Sequence, residues 1–202
     1  MIKVIKVNRK RVGISLILIG LMFILVVFQK NLYGKLKFTA LIHNDIKALK
    51  EYYMLDNTYL YKLPENWNTR IRKFTGNEII YHNEFVSEDN VIRGVVQAWN
   101  INMNLEKFLK SSEQISSKQN IIENYKMQPI DLGGNKGYEV TYSIVDKEKN
   151  IYKSFEYFIP KKDGFVRFSF FVNEANFKES MLQVFRTIVN TFQSVDMHKT
   201  FD

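Results

Sequence analysis

The residues best suited to chemistry in this sequence are a histidine and two glutamates that alternate within one short segment. Glu78, His82 and Glu84 lie in EIIYHNEFVS, residues 78–87, which alternates as a β-strand does. Side chains two apart in a strand share a face, so two carboxylates would flank an imidazole, an arrangement that can bind a divalent metal ion or move a proton. However, Ile80 interrupts the polar row, and alternate strand residues stand roughly 6.5–7 Å apart. We therefore favour ordinary charge alternation on a solvated sheet face.

The remaining composition offers little other chemistry. The 202-residue chain has no cysteine, which excludes disulfides, zinc–thiolate sites and thiol nucleophiles, and its three histidines are far apart in sequence. The loop GGNKG, residues 133–137, could cradle an anion with backbone amides, but it leads into a strand, and a hairpin turn is favoured. The sequence thus predicts no catalytic residue, no bound metal and no cofactor, and we expect the protein not to be an enzyme.

The net charge of +8 is concentrated at the amino terminus. Residues 1–11 form a basic arm with five basic side chains and no acidic one. The remainder shows no long basic run and no basic–aromatic alternation, which disfavours nucleic-acid binding.

An uncharged apolar segment follows the arm. Residues 12–28 read VGISLILIGLMFILVVF, which as a helix would be roughly 26 Å long, near the lower limit for crossing a bilayer. We predict a transmembrane anchor over residues 12–29, held by the lipid bilayer. The anchor residues that we select are Val12, Leu16, Ile19, Phe23, Val27 and Phe28.

The flanking sequence favours an uncleaved anchor over a cleaved signal peptide or a buried core helix. A signal peptide would have a shorter apolar region and a small-residue cleavage site, which FQKNLYGKLKF does not supply. Basic residues before the segment outnumber Lys30, Lys35 and Lys37 after it, so the positive-inside rule places the amino terminus in the cytoplasm and residues 30–202 outside. A pilin-like structural subunit is disfavoured, because the segment after Gly13 contains no glutamate.

Two periodicities divide the rest of the chain. Residues 30–57 place apolar side chains at helical spacing, which predicts a juxtamembrane helical stalk ending at Asp56 and Asn57. Beyond residue 58 a period of two dominates, with short turns that favour antiparallel hairpins. Strands are predicted at 70–74, 78–87, 91–101, 121–130, 138–145, 151–159 and 165–172, and helices from Asn104 to near Ser116 and after Asn176, where Glu179 completes a capping box. The predicted fold class is α+β, an antiparallel sheet with helices on its faces.

Four stretches within residues 58–193 resemble the PsbP-like superfamily. They are Leu63-Pro64 followed by Trp67, then residues 76–99, residues 104–112, and YKSFEYFIPKKDGFVRFSFFV with the helix after it. The resemblance implies an α/β/α sandwich around a central antiparallel sheet, here over residues 58–196. It also implies a bacterial binding, assembly or stabilising module rather than an enzyme.

Anchor and resemblance together predict a single-pass cell-membrane protein with an extracytoplasmic binding module. We expect it to hold a protein partner or ligand at the cell surface. A metal-assisted hydrolase that uses Glu78, His82 and Glu84 remains the alternative from a different class.

Overall fold

A computed structural model of the chain describes residue 46, residues 48–118 and residues 122–195. The predicted basic arm, the transmembrane anchor with its six selected residues, and most of the stalk lie outside this range. Within the described residues, no helix combines the length and the apolar character needed to span a membrane.

The described residues form two antiparallel sheets and two α-helices. A seven-stranded sheet has the order β3-β4-β5-β9-β8-β7-β6, and a three-stranded sheet has the order β1-β2-β10. The strands are β1 (Leu49–Met54), β2 (Tyr59–Pro64), β3 (Asn68–Ile71), β4 (Ile79–Val86), β5 (Ile92–Trp99), β6 (Ile122–Leu132), β7 (Asn135–Val145), β8 (Ile151–Lys161), β9 (Gly164–Asn173) and β10 (Gln193–Ser194). The helices are α1 (Leu105–Lys118) and α2 (Ser180–Val189).

The large sheet confirms the predicted antiparallel pairing. Its strands coincide, within a few residues at each end, with the seven predicted from the period of two. The GGNKG loop is a hairpin connection, as favoured: Gly133 and Gly134 have φ values of 63° and 89°, and β7 begins at Asn135. Glycine adopts this left-handed backbone without steric cost, which permits the tight β6–β7 turn.

The two faces of the large sheet are covered unequally. One face packs against the small sheet and α2, and we call this cluster the large core. Its fully buried side chains include Tyr61, Phe85, Val96, Phe168, Phe170 and Phe185. The other face carries a smaller cluster under α1, made of Leu105, Leu109, Val140, Phe158 and Phe165. The molecule is therefore dominated by sheet, and the predicted α/β/α sandwich is confirmed only in its antiparallel centre.

The predicted helical stalk is wrong where the structure describes it. Leu49–Met54 is strand β1, which pairs antiparallel with β2, and so a strand of the fold lies before residue 58. Leu49 and Tyr53 stand at helical spacing, which led to the prediction of a helix. The segment forms a strand instead, because the apolar strand β2 pairs with it along its whole length. Three successive residues with positive φ, Leu55, Asp56 and Asn57, form the turn between the two strands.

One helix start is confirmed and the other is wrong. The Asn104 side chain accepts a hydrogen bond from the Lys107 amide at 3.1 Å, as expected of the residue that caps α1. Asn176 instead ends a short 3₁₀ turn, Glu174–Asn176, and α2 begins only at Ser180. The intervening Phe177 is extended and stacks on Phe155, with ring centroids 5.3 Å apart. Because Phe177 has an extended backbone where it makes this contact, α2 begins after it and not at Asn176.

Candidate ligand-binding site

The structure separates one of the three predicted site residues, Glu78, from the other two. The register of β4 shifts between Ile79 and Tyr81, which breaks the alternation that would have placed Glu78 beside His82. Glu78 is exposed, and no hydrogen bond within the described residues joins it to the histidine. His82 is only 7% exposed, so the interpretation of a solvated face was wrong for this residue.

His82 and Glu84 remain neighbours on β4. The Nε2 atom of His82 lies 3.3 Å from Oε1 of Glu84, and the Arg72 Nε donates to the other carboxylate oxygen at 2.9 Å. The Phe74 ring packs edge-on against the imidazole at a centroid distance of 4.8 Å. Both oxygens of this carboxylate are therefore occupied by protein groups.

Gln97, the residue opposite His82 on β5, fixes the orientation of the imidazole. Its Oε1 accepts hydrogen bonds from Trp99 Nε1 at 3.0 Å and Arg167 Nη1 at 3.4 Å. Because indole and guanidinium nitrogens only donate, the amide nitrogen of Gln97 must face His82 Nδ1, 2.9 Å away. Nδ1 of His82 is then the acceptor, and the proton of the neutral ring is on Nε2, where it is donated to Glu84.

Polar contacts continue from Glu84, His82 and Gln97 across the sheet to a buried ion pair. We call this set of side chains the polar row. Arg167 on β9 bonds through Nη2 to Oε1 of Glu156 on β8, and its guanidinium lies over the Phe158 ring at 5.8 Å. The same Oε1 accepts from Tyr142 at 2.9 Å and Ser169 at 3.1 Å. Burial, followed by the neighbouring Glu156 charge, raises the pKa of the Tyr142 phenol well above its ordinary value.

A cavity of about 220 Å³, which we call the α1 cavity, opens between α1 and this end of the row. Its walls are aromatic and its polar floor holds Tyr142, Glu156 and Arg167. The aromatic walls are formed by Trp99, Phe108, Tyr125, Phe158 and Phe165. Ser112 and Ser116, one turn apart on α1, also line it. Burial and the carboxylates of Glu113 and Glu156 raise the pKa of Tyr125 to about 12.

The arrangement offers hydrogen bonding and aromatic contact more readily than metal coordination. Within the described parts of the chain, no group of three or more histidine, aspartate or glutamate side chains is placed to hold a metal ion. Glu156 is the carboxylate that borders the cavity, and an arginine already pairs with it.

The sequence analysis missed Gln97, Glu156 and Arg167 as site residues. A signal was present, because each is a polar residue flanked on both sides by apolar residues in a strand of the sheet centre. A polar side chain on such a strand must find partners within the protein, which marks it for a network. The strand order decides which of these residues meet, and the sequence pattern alone does not give the strand order.

Comparison with known proteins gives matches in structure and none in sequence. No protein-family model matches the chain, and no curated protein matches it in sequence. The solution structure of cyanobacterial PsbP (CyanoP) from Synechocystis sp. PCC 6803 superposes with a TM-score of 0.55 at 13% identity, covering 74% of this chain and 94% of that one. The chain has a PsbP-like fold. The predicted resemblance is confirmed at the level of the fold.

A second solved structure has a similar arrangement. A protein from Bacteroides thetaiotaomicron superposes with a TM-score of 0.52 at 11% identity, covering 75% of this chain and 50% of that one. At such identities, the PsbP-like likeness concerns the path of the backbone and transfers no site residue.

Proposed function

We propose that the chain is a non-enzymatic, membrane-tethered extracytoplasmic module of PsbP-like type that binds a small molecule in the α1 cavity. The observation that carries the proposal is a concave, largely aromatic cavity whose floor holds a buried carboxylate, Glu156. Concave, mostly apolar pockets with a few convergent polar groups are typical of ligand sites.

The hydrogen bonding of the polar row supports binding over catalysis. His82 uses one ring nitrogen on Gln97 and the other on Glu84, and Arg72 occupies the remaining oxygen of that carboxylate. A general base needs a free lone pair within reach of its substrate, and the His82 imidazole has none, because Nδ1 accepts from Gln97 and Nε2 carries the proton. The separation of Glu78 from His82 likewise weighs against the metal-assisted hydrolase.

The predicted anchor at residues 12–29 supports the tethering. Protease added to intact cells should degrade a carboxy-terminally tagged chain, and the intact mass of the purified protein should show that residues 1–29 are retained. Protection of the tag would reverse the proposed orientation. A mass lacking the residues before Gly13 would favour the pilin-like alternative, and a larger loss would favour a cleaved signal peptide.

Ligand binding can be tested with two adjacent serines of α1. Ser112 lines the cavity, whereas Ser111 is exposed, so Ser112→Phe should fill the cavity and Ser111→Phe should serve as its control. The full chain in detergent micelles is screened by ¹⁹F NMR against small fluorinated fragments of varied chemistry. We expect hits that Ser112→Phe abolishes and Ser111→Phe retains. If no fragment distinguishes the two variants, the proposed small-molecule site is wrong.

Exposed apolar side chains favour a protein partner at the cell surface as a second binding function. Ile71, Phe74 and Ile80, at the β3–β4 edge of the large sheet, are 60%, 49% and 43% exposed. A photo-crosslinking residue in place of Ile71 should capture a specific neighbour on intact cells, and one in place of the exposed Glu148 should not. Equal capture at both sites would contradict a partner surface at this edge.

A further inference from the structure

We infer that the α1 cavity selects uncharged, planar aromatic molecules that carry an N–H donor. This inference rests on the proposed function and names the ligand class of the same site.

The volume limits the ligand to one or two fused rings. The cavity measures about 220 Å³. An engineered apolar cavity of about 150 Å³ holds one benzene molecule, so this volume has room for roughly nine or ten non-hydrogen atoms. Drug-sized ligands need about 300 Å³ or more.

The walls favour a flat, aromatic shape. Phe165 is the centre of a ring cluster, with its centroid 5.8 Å from Trp99, 5.1 Å from Phe108 and 5.6 Å from Phe158. Aromatic rings at such spacings stabilise one another by offset and edge-to-face contacts. A planar aromatic guest can extend the same ring packing, and the aliphatic side chains of the lining, Leu109, Ile122 and Val140, also accept apolar surface.

The floor presents a carboxylate oxygen that the described residues leave without a hydrogen bond. Arg167, Tyr142 and Ser169 all bond to Oε1 of Glu156, and no hydrogen bond among the described residues ends on Oε2. Glu156 is only 4% exposed, so little water reaches this carboxylate. Because Glu156 lines the cavity, a guest N–H can satisfy this oxygen.

The charge beside the acceptor favours a neutral donor over a cation. The Arg167 guanidinium is already bonded to the same carboxylate and is itself largely buried. An ammonium group at Oε2 would place a second positive charge close to the first one in a site from which most water is excluded. An uncharged N–H gives the hydrogen bond without that repulsion.

The test uses two probes that differ only in the donor. 5-Fluoroindole carries a ring N–H, and 5-fluorobenzofuran has an oxygen in the same position. Dissociation constants are measured by ¹⁹F NMR for the full chain in detergent micelles, with Ser112→Phe as the filled cavity and Ser111→Phe as its control. Signal changes measured in micelles without protein report partition into the detergent and are subtracted.

We expect 5-fluoroindole to bind about tenfold or more tightly than 5-fluorobenzofuran, as a hydrogen bond to a charged group predicts. Ser112→Phe should abolish the binding and Ser111→Phe should preserve it. Equal affinities would overturn the inferred ligand class while leaving the cavity as a binding site. Binding that survives Ser112→Phe, or no binding of either probe, would also overturn it. In that last case, fragments of other chemistry that distinguish the two serine variants would show that the proposed function survives.

Discussion

The two faces of the seven-stranded sheet are made by the same strands but differ in the side chains that they bury. On β9, Phe168 and Phe170 point into the large core, whereas Arg167 and Ser169 join the polar row of the α1 face. The large core is closed by a second sheet and α2. The α1 face has a smaller apolar cluster, the polar row and the α1 cavity.

This difference indicates which face of the sheet tolerates looser packing. A core at native packing density loses stability with every deleted methylene, so buried charge and empty space are tolerated only where another region supplies stability. The large core supplies it here, although this side too has a buried carboxylate, Glu139, which pairs with Arg186 of α2. The α1 face has both an ion pair and a cavity. If this division is right, equivalent perturbations of the two faces must have unequal consequences.

The largest effect is expected in the large core. Phe170 is fully buried and stacks on Phe185 with centroids 4.3 Å apart, so Phe170→Ala should lower the free energy of unfolding by about 3–5 kcal/mol. Urea unfolding of the full chain, followed by circular dichroism, measures this. Phe74→Ala, at a half-exposed ring, is the control and should cost less than about 1 kcal/mol. Similar losses at both positions would contradict the division between the faces.

The buried ion pair tests the α1 face next. Arg167→Met should cost about 3 kcal/mol, because it leaves Glu156 buried with only hydroxyl partners. Adding Glu156→Gln to that variant should restore part of the loss, since the remaining carboxamide is uncharged. A double-mutant cycle on unfolding free energies measures the coupling. Strictly additive losses would mean that the pair contributes no net interaction.

The sequence predicted local features of the fold well and long-range ones poorly. The strands of the large sheet follow from alternation and turn residues, such as Gly133 and Gly134, which act within a few positions. Strand β1 was mistaken for a helix, because its pairing with β2 decides its conformation and the spacing of its own apolar residues does not. The site was missed for the same reason, since Gln97, Glu156 and Arg167 meet only through the order β5-β9-β8.

A smaller effect is expected from the centre of the polar row. Gln97→Leu removes the donor to His82 and the shared acceptor of Trp99 and Arg167, and it should cost about 1–2 kcal/mol. In the unmodified chain, ¹⁵N NMR should show the neutral His82 ring protonated on Nε2. In the variant the Nε2 form should remain the major tautomer with a smaller excess over the Nδ1 form, because Glu84 alone then favours it. A single Nδ1-protonated form in the unmodified chain would contradict the network.

The smallest effect concerns Tyr125 in the wall of the α1 cavity. Its pKa is raised to about 12 by burial and by the carboxylates of Glu113 and Glu156, so the folded state holds the phenol proton more tightly than the unfolded chain, where the pKa is about 10. This contribution to stability is complete below pH 10 or so and is lost as the pH rises through about 12. Phenolate absorbance, corrected by subtracting the titration of Tyr125→Phe, measures the pKa directly. A midpoint near 10 would mean that water fills this wall freely and that the α1 face is more open than the packing of Phe108, Phe158 and Phe165 implies. If the titration midpoint of Tyr125 rises further when 5-fluoroindole is bound, the ligand lies against this residue, because a bound guest removes the remaining water from the phenol.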